Sequence, residues 1–268
     1  MLTEKARNEV VEELFNVYKT GQQMVRPTES RSGMEIEDAY RIQQAFIQRK
    51  VDNGAHIKGY KVGLTSKVMQ EMAGSDEPDF SAVTDDMFFP ENTEIGSELF
   101  FSPMVEMEIA LVMKHPLRGP GVMPVDVIRA TDFVLPAIEI VDFRVALSEG
   151  FNIVDSVADL AACGAVVLGG NPMSLRDIDV RTVHGRLALN GKLHEEGEAS
   201  AVLGNPVTAV AWLANKLGEF GTGFEPGDTI LSGSFVRAVP IKAGDHVVCS
   251  FDQGFGDVAF SLRLPSQI

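Results

Sequence analysis

Residues 103–112 read Pro103-Met104-Val105-Glu106-Met107-Glu108-Ile109-Ala110-Leu111-Val112. Side chains two apart on a β-strand project from the same face. A strand here sets Glu106 and Glu108 side by side in an otherwise apolar run. Two adjacent anions in such a setting are unfavourable unless one is protonated or a cation neutralises both. A second apolar run, Val134-Leu-Pro-Ala-Ile-Glu139-Ile-Val141, carries a carboxylate where a hydrophobic side chain is the ordinary choice. Three carboxylates with no His or Cys nearby make a hard-oxygen donor set, which favours Mg²⁺ or Mn²⁺ over zinc. The alternation of Val105, Met107 and Ile109 against Glu106, Glu108 and Ala110 equally suits an antiparallel strand with one wet face. On its own, then, the E-x-E spacing does not separate a metal centre from a solvated sheet.

Outward from this segment, short apolar runs separated by Gly, Pro and Asp continue from about residue 57. HIKGYKVGLTS (56–66), DTILSGSF (228–235), HVVCSF (246–251) and DVAFSLRL (257–264) all suit buried or half-buried strands. Glu225-Pro-Gly-Asp and Ala243-Gly-Asp mark turns, and Asn190-Gly191 is a strong hairpin signal. Residues 2–20 and 35–53 read instead as amphipathic helices, the second with acidic residues at its start, basic ones near its end and Gly54 beyond. A late helix begins at Asn205 as cap and Pro206 as first residue, with Val207, Val210, Leu213, Ala214 and Leu217 forming its apolar stripe. Helices around a strand-rich centre, without regular βαβ alternation, predict a mixed α+β fold. The expected organisation is a helical N-terminal lead-in over 1–55 and a catalytic domain over 56–268.

At 268 residues and 45% hydrophobic content, the chain can bury one sizeable core. Lys and Arg number 23 against 38 Asp and Glu, a formal net charge of −15. Such a surface repels phosphate backbones and anionic lipid, so neither nucleic acid nor membrane is an expected partner. An anionic substrate then needs a local cation or fixed dipoles to hold it. Cys163 and Cys249 have no CxxC spacing, the N-terminal stretch lacks a signal-peptide apolar core, and no apolar run approaches ~20 residues. The expectation is a cytoplasmic globular protein. The five histidines are scattered, and no Ser-His-Asp order, P-loop or G-x-G-x-x-G is present.

Lys61 lies in Lys58-Gly-Tyr-Lys-Val-Gly-Leu-Thr-Ser66, where Gly63 lets backbone amides approach a ligand closely. Burial lowers a lysine's pKa and suits it to acid–base work near neutrality; an exposed lysine on a strand edge is the plain alternative. Asp79 is either a carboxylate partner for Lys61 or a turn residue after Pro78. Gly233 and Ser234 offer amides and a hydroxyl to a carboxylate, or simply a tight strand contact. Cys163 and Cys249 read as packing residues.

Together these segments resemble the hydratase and decarboxylase branch of the fumarylacetoacetate hydrolase superfamily. The resemblance runs through KGYKVGLTSKVMQ (58–70), EPDFSAVTDDMFF (77–89), VEMEIALVMKHPLRGP (105–120), TDFVLPAIEIVDFR (131–144), DSVAD (155–159), LGNPVTAVAWLANKL (203–217) and DTILSGSFVRAVPIKAGD (228–245). It implies a mixed, rolled β-structure with flanking helices, assembled as a homo-oligomer. It also implies Glu106, Glu108 and Glu139 as Mg²⁺ or Mn²⁺ ligands, and Lys61 and Asp79 as the acid/base residues. Gly63, Leu64 and Ser234 become expected contacts to the carboxylate of a small 2-oxo acid. The implied reaction is addition of water to a 2-hydroxy-2,4-dienoate in aromatic meta-cleavage catabolism, with a vinylogous 2-oxo acid decarboxylase as the alternative. Acylpyruvate hydrolysis ranks lower, since no water-activating His/Glu pair is evident. A catalytically silent partner of a sister pathway enzyme is the remaining class, and retention of all five polar residues argues against it. Two positions depart from the family pattern: Met104 stands where a basic residue is frequent, and Leu160 where Asn is.

Overall fold

The computed structural model describes residues 1–265. Two long helices lead the chain, α1 (Glu4–Thr20) and α2 (Ile36–Asp52). Thr3 accepts from the Ala6 amide at the start of α1, and Gly21 closes it in the left-handed conformation that a glycine adopts without strain. Asp38 reaches back to the Glu35 amide at the start of α2. The helices pack through their apolar stripes, with the Phe15 and Phe46 rings stacked at 4.3 Å between centroids.

The strands that build the site are β1 (Ile57–Gly63), β2 (Asp79–Thr84), β3 (Met104–Met113), β4 (Thr131–Val141), β5 (Cys163–Leu168) and β6 (Thr229–Leu231). They lie in the order β2-β1-β6-β3-β4-β5 within a mixed eight-stranded sheet, completed by Phe88–Pro90 beside β5 and Val239–Pro240 beside β3. β1 runs parallel to β6, whereas β3 and β4 pair antiparallel along most of their length. A five-stranded sheet packs against this one and contains the hairpin turned by Asn190-Gly191. Helix α3 (Pro206–Glu219) starts where the sequence predicts, Asn205 Oδ1 accepting from the Val207 amide at 3.0 Å.

This layering decides between the two readings of the E-x-E strand. Val105, Met107 and Ile109 are fully buried on one face of β3, where the second sheet approaches so closely that a Cβ on Gly185 would run into Met107. The opposite face, bearing Glu106 and Glu108, is largely covered too: Glu108 is 0% exposed, whereas Glu106 is half-buried, as are Met104 and Val112 toward the strand ends. It is not a solvated face, and the fold is the α+β structure expected.

Candidate active site

Strand register gathers the polar residues. Glu106 stands directly opposite Glu139 across the β3–β4 ladder, and Glu108 opposite Ala137. Ala110, on the same face of β3, pairs with Leu231, and Leu231 pairs with Lys61. On the other side of β1, Gly63 pairs with Asp79. Because cross-strand partners share a face, one surface carries Lys61, Asp79, Glu106, Glu108 and Glu139.

Oxygens of Glu106, Glu108 and Glu139 lie within 4.8 Å of one another. Lys61 Nζ stands 3.5 Å from Glu139 Oε1, with both side chains almost wholly buried. Gly63 makes room for this arrangement: a Cβ there would run into Asp79 Oδ1 and approach Lys61 Nζ at 3.1 Å. Within LSGSF, the Gly233 amide donates to Glu108 Oε2 at 2.7 Å. Ser234 spends its hydroxyl on Val236 O, at 2.9 Å. Leu64 follows Gly63 with a left-handed backbone, φ 54°.

The electrostatics are unbalanced. Burial, then the Glu139 charge, push Glu106 up to about 8, with Lys61 pulling the other way. The same two causes, joined by the Glu106 charge, hold Glu108 well above the carboxylate range. Burial raises Asp79 to about 6 against the pull of Lys61 and of the Gly63 amide. Lys61 departs from the sequence expectation. Burial acts to lower its pKa, but Glu139 and Asp79 outweigh it and hold the ammonium above its ordinary range. Cys163 is buried, and burial followed by the Glu139 charge push its thiol well up, which leaves it a packing neighbour rather than a nucleophile.

Glu108 Oε1, Glu139 Oε1 and Asp79 Oδ1 are buried without a hydrogen-bond partner. Buried polar atoms are rarely left so. One ammonium faces four carboxylates, three of which converge. Such a set fits a hard divalent cation, which would occupy the orphaned oxygens and remove most of the excess charge.

The Gly233 amide, expected to meet a carboxylate, reaches the protein's own Glu108, a partner set by β6 lying beside β3. One feature escaped the sequence reading. Arg144, which looks like an ordinary polar residue in the sequence, is buried behind β4 and β5, where it donates to the Asp159 carboxylate and to Cys163 O.

Residues 58–263 match the fumarylacetoacetate (FAA) hydrolase C-terminal family, and the chain belongs to that family. It is 41% identical to the 2-oxo-hept-4-ene-1,7-dioate hydratase of Escherichia coli over 215 residues, 78% of this chain and 80% of the relative. It is 36% identical to the 2-keto-4-pentenoate hydratase of Paraburkholderia xenovorans over 257 residues, 96% of this chain and 95% of the relative. Among solved structures, the 4-oxalocrotonate decarboxylase of Pseudomonas putida G7, complexed with magnesium and adipate, superposes with a TM-score of 0.93 at 33% identity, covering 98% of this chain and 99% of that one. No helix among the described residues is long and apolar enough to cross a membrane.

Proposed function

We propose that this chain is a divalent-metal-dependent lyase that adds water to a 2-hydroxy-2,4-dienoate, giving a 4-hydroxy-2-oxo acid. The observation that carries the reading is the largely buried Glu106–Glu108–Glu139 cluster, with orphaned oxygens on Glu108 and Glu139, in a chain 41% and 36% identical to hydratases. In this reading Glu106, Glu108 and Glu139 hold Mg²⁺ or Mn²⁺. When bound, the cation supplies Lewis-acid neutralisation of the charge that develops at the substrate's 2-oxygen.

The remaining work belongs to the chain's own side chains. Lys61 delivers a proton from Nζ to the substrate carbon chain, and its ion pair with Glu139 keeps Nζ aimed across the site. Asp79, raised to about 6 and left with one unpartnered oxygen, accepts a proton from the attacking water. The absence of a side chain at Gly63 keeps these two groups close, and the Gly63 and Leu64 backbone borders the space for the substrate carboxylate. Ser234 borders the same space, with its hydroxyl oriented by Val236. Closure of both sheet faces limits bulk water, so one ordered water rather than solvent attacks.

The decarboxylase alternative has its own support, the TM-score of 0.93 to a 4-oxalocrotonate decarboxylase. Product analysis decides between the two. Offered 2-hydroxypenta-2,4-dienoate or its longer dioate relative, the Mn²⁺-loaded protein is expected to bleach the dienoate absorbance and place one solvent ¹⁸O atom at C4. Metal-dependent CO₂ release from 4-oxalocrotonate, with no water added to the dienoates, would establish decarboxylation instead. The reading also carries a cytoplasmic location, suited to the two free cysteines, and assembly of the chain with itself.

A further inference from the structure

Eight residues other than glycine, among those described, have positive φ. Asn92, Asn190 and Gln253 are amide side chains in turns, where this conformation is common for Asn and tolerated by its polar relatives. The other five are apolar: Leu64 (54°), Leu160 (55°), Ala161 (47°), Ala162 (59°) and Leu203 (46°). A left-handed backbone strains such residues, and strain of this kind persists where the surroundings enforce it, often at functional sites.

Each of the five is joined, along the chain or by a hydrogen bond, to a neighbour of the carboxylate cluster. Residues 160–162 are buried and lead directly into Cys163, and Ala162 O accepts from the Asp142 amide at 2.8 Å. Leu64 separates Gly63 from Thr65. Leu203 comes from a distant loop, yet its amide donates to Thr65 O at 3.0 Å. Thr65 is itself 1% exposed and packs on Gly233, where a Cβ would collide with it, and the Gly233 amide holds Glu108. A continuous chain of contacts thus runs from Leu203 through Thr65 and Gly233 to a carboxylate of the cluster. Leu64 and Leu203 are only half-buried, Leu203 resting in part against the hydrophobic core, so neither apolar side chain is fully consumed by packing.

We propose that Leu203 is a specificity-determining residue which, with Leu64, forms an apolar wall against the hydrocarbon chain of a 2-oxo acid. The proposal rests on the 2-oxo acid reading above and adds a residue from outside the charged cluster. The carboxylate end of the substrate would face the cation that the glutamates hold, beside Lys61 and the Gly63–Leu64 backbone. The leucines grip the carbon chain, where burial of one or two methylenes changes affinity by roughly 10–200-fold.

Calorimetric titration of Mn²⁺-loaded protein with two unreactive ligands tests this without turnover. Oxalate has the chelating end and no chain; 2-oxopentanoate has both. Leu203→Asn keeps a residue that accepts positive φ but removes the apolar surface; Leu203→Ala shortens the side chain. Each variant is expected to weaken 2-oxopentanoate at least about tenfold while oxalate and Mn²⁺ affinities stay within about twofold of wild type. KM for a dienoate should rise more than kcat falls. Equal weakening of both ligands, accompanied by a lower Tm, would make Leu203 a structural residue and overturn the proposal; unchanged 2-oxopentanoate affinity would overturn it as well. A wild-type protein that binds 2-oxopentanoate through Leu203 yet leaves dienoates untouched would sink the hydratase reading and leave this inference standing.

Discussion

Two buried charge clusters lie within a few residues of each other along β4, and they are built on opposite terms. Just beyond the strand, Arg144 pairs with Asp159, the two being 2% and 0% exposed. The guanidinium donates to the Asp159 carboxylate and, at 2.8 Å each, to Cys163 O and Asp159 O. Asp159 Oδ2 accepts from the Arg144 and Val145 amides at 2.7 and 3.1 Å. Inside the strand, Glu139 sets a 3.5 Å ion pair with Lys61 and a contact with the Cys163 thiol against two neighbouring glutamates, and its Oε1 has no hydrogen-bond partner. The first cluster is complete in the protein alone. The second is complete only with something added, and that difference separates a structural ion pair from a binding site at equal burial.

The sharpest way to break the contrast is to remove one charge from the incomplete side. Glu139→Gln should cost several kcal/mol of cation stabilisation, about 10³-fold in turnover, with an unchanged fold by circular dichroism. Mn²⁺ titration and steady-state rates check both halves of this expectation. Full activity in wild-type protein stripped with a chelator would refute the metal assignment directly.

Lys61→Ala comes next, with an expected loss in kcat of about 10²–10⁴, the usual contribution of a general acid–base group. Lys61 is read as a proton carrier and not a Schiff-base nucleophile, because an electrophilic centre is already provided by the cation. Borohydride treatment in the presence of substrate should therefore add no mass to the protein. A reduced adduct located at Lys61 would reassign its role.

How far the sequence carries this picture depends on the range of the contact. Glu106 and Glu108 are legible because their partner is each other, two residues apart, and Glu139 because a carboxylate inside VLPAIEIV is costly wherever the strand lies. Their convergence is set by the register that puts Glu106 opposite Glu139, which no local pattern encodes. Helices α1, α2 and α3 were readable to within two residues at each end through their stripes and caps. The Arg144–Asp159 pair was not, since its members are 15 residues apart and neither breaks an apolar run. The direction of the Lys61 shift was missed for the same reason: burial is local, but the opposing charges arrive from β2 and β4.

On the complete side, Arg144→Met should spare chemistry and damage the fold. It leaves Asp159 charged, buried and unpaired, a change that costs about 3–5 kcal/mol. Chemical denaturation should report that loss, while Mn²⁺ affinity of the folded fraction stays near wild type. A large fall in metal affinity with unchanged stability would erase the distinction between the clusters.

The smallest effect follows from the charge imbalance itself and needs no substitution. In metal-free protein, burial and mutual repulsion raise Glu106 to about 8 and Glu108 well above its ordinary value of 4.5. A carboxyl whose folded pKa exceeds its unfolded one contributes stability that is fully present below about 4.5. That stability is lost as pH rises through about 8, because the folded state then holds an unfavourable anion. Metal-free protein should accordingly lose roughly 2 kcal/mol between pH 5 and 9, on the order of 5 °C in Tm. Saturating Mn²⁺ should flatten this dependence and add about 2.7 kcal/mol at a hundredfold excess over Kd. Burial raises the Asp159 carboxyl as well, against the pull of Arg144, so it is the part of the slope that Mn²⁺ removes that isolates the unfinished cluster. A metal-free Tm that holds steady or rises from pH 5 to 9 would mean that the glutamates are already neutralised without a cation, and the comparison between the two clusters would fail.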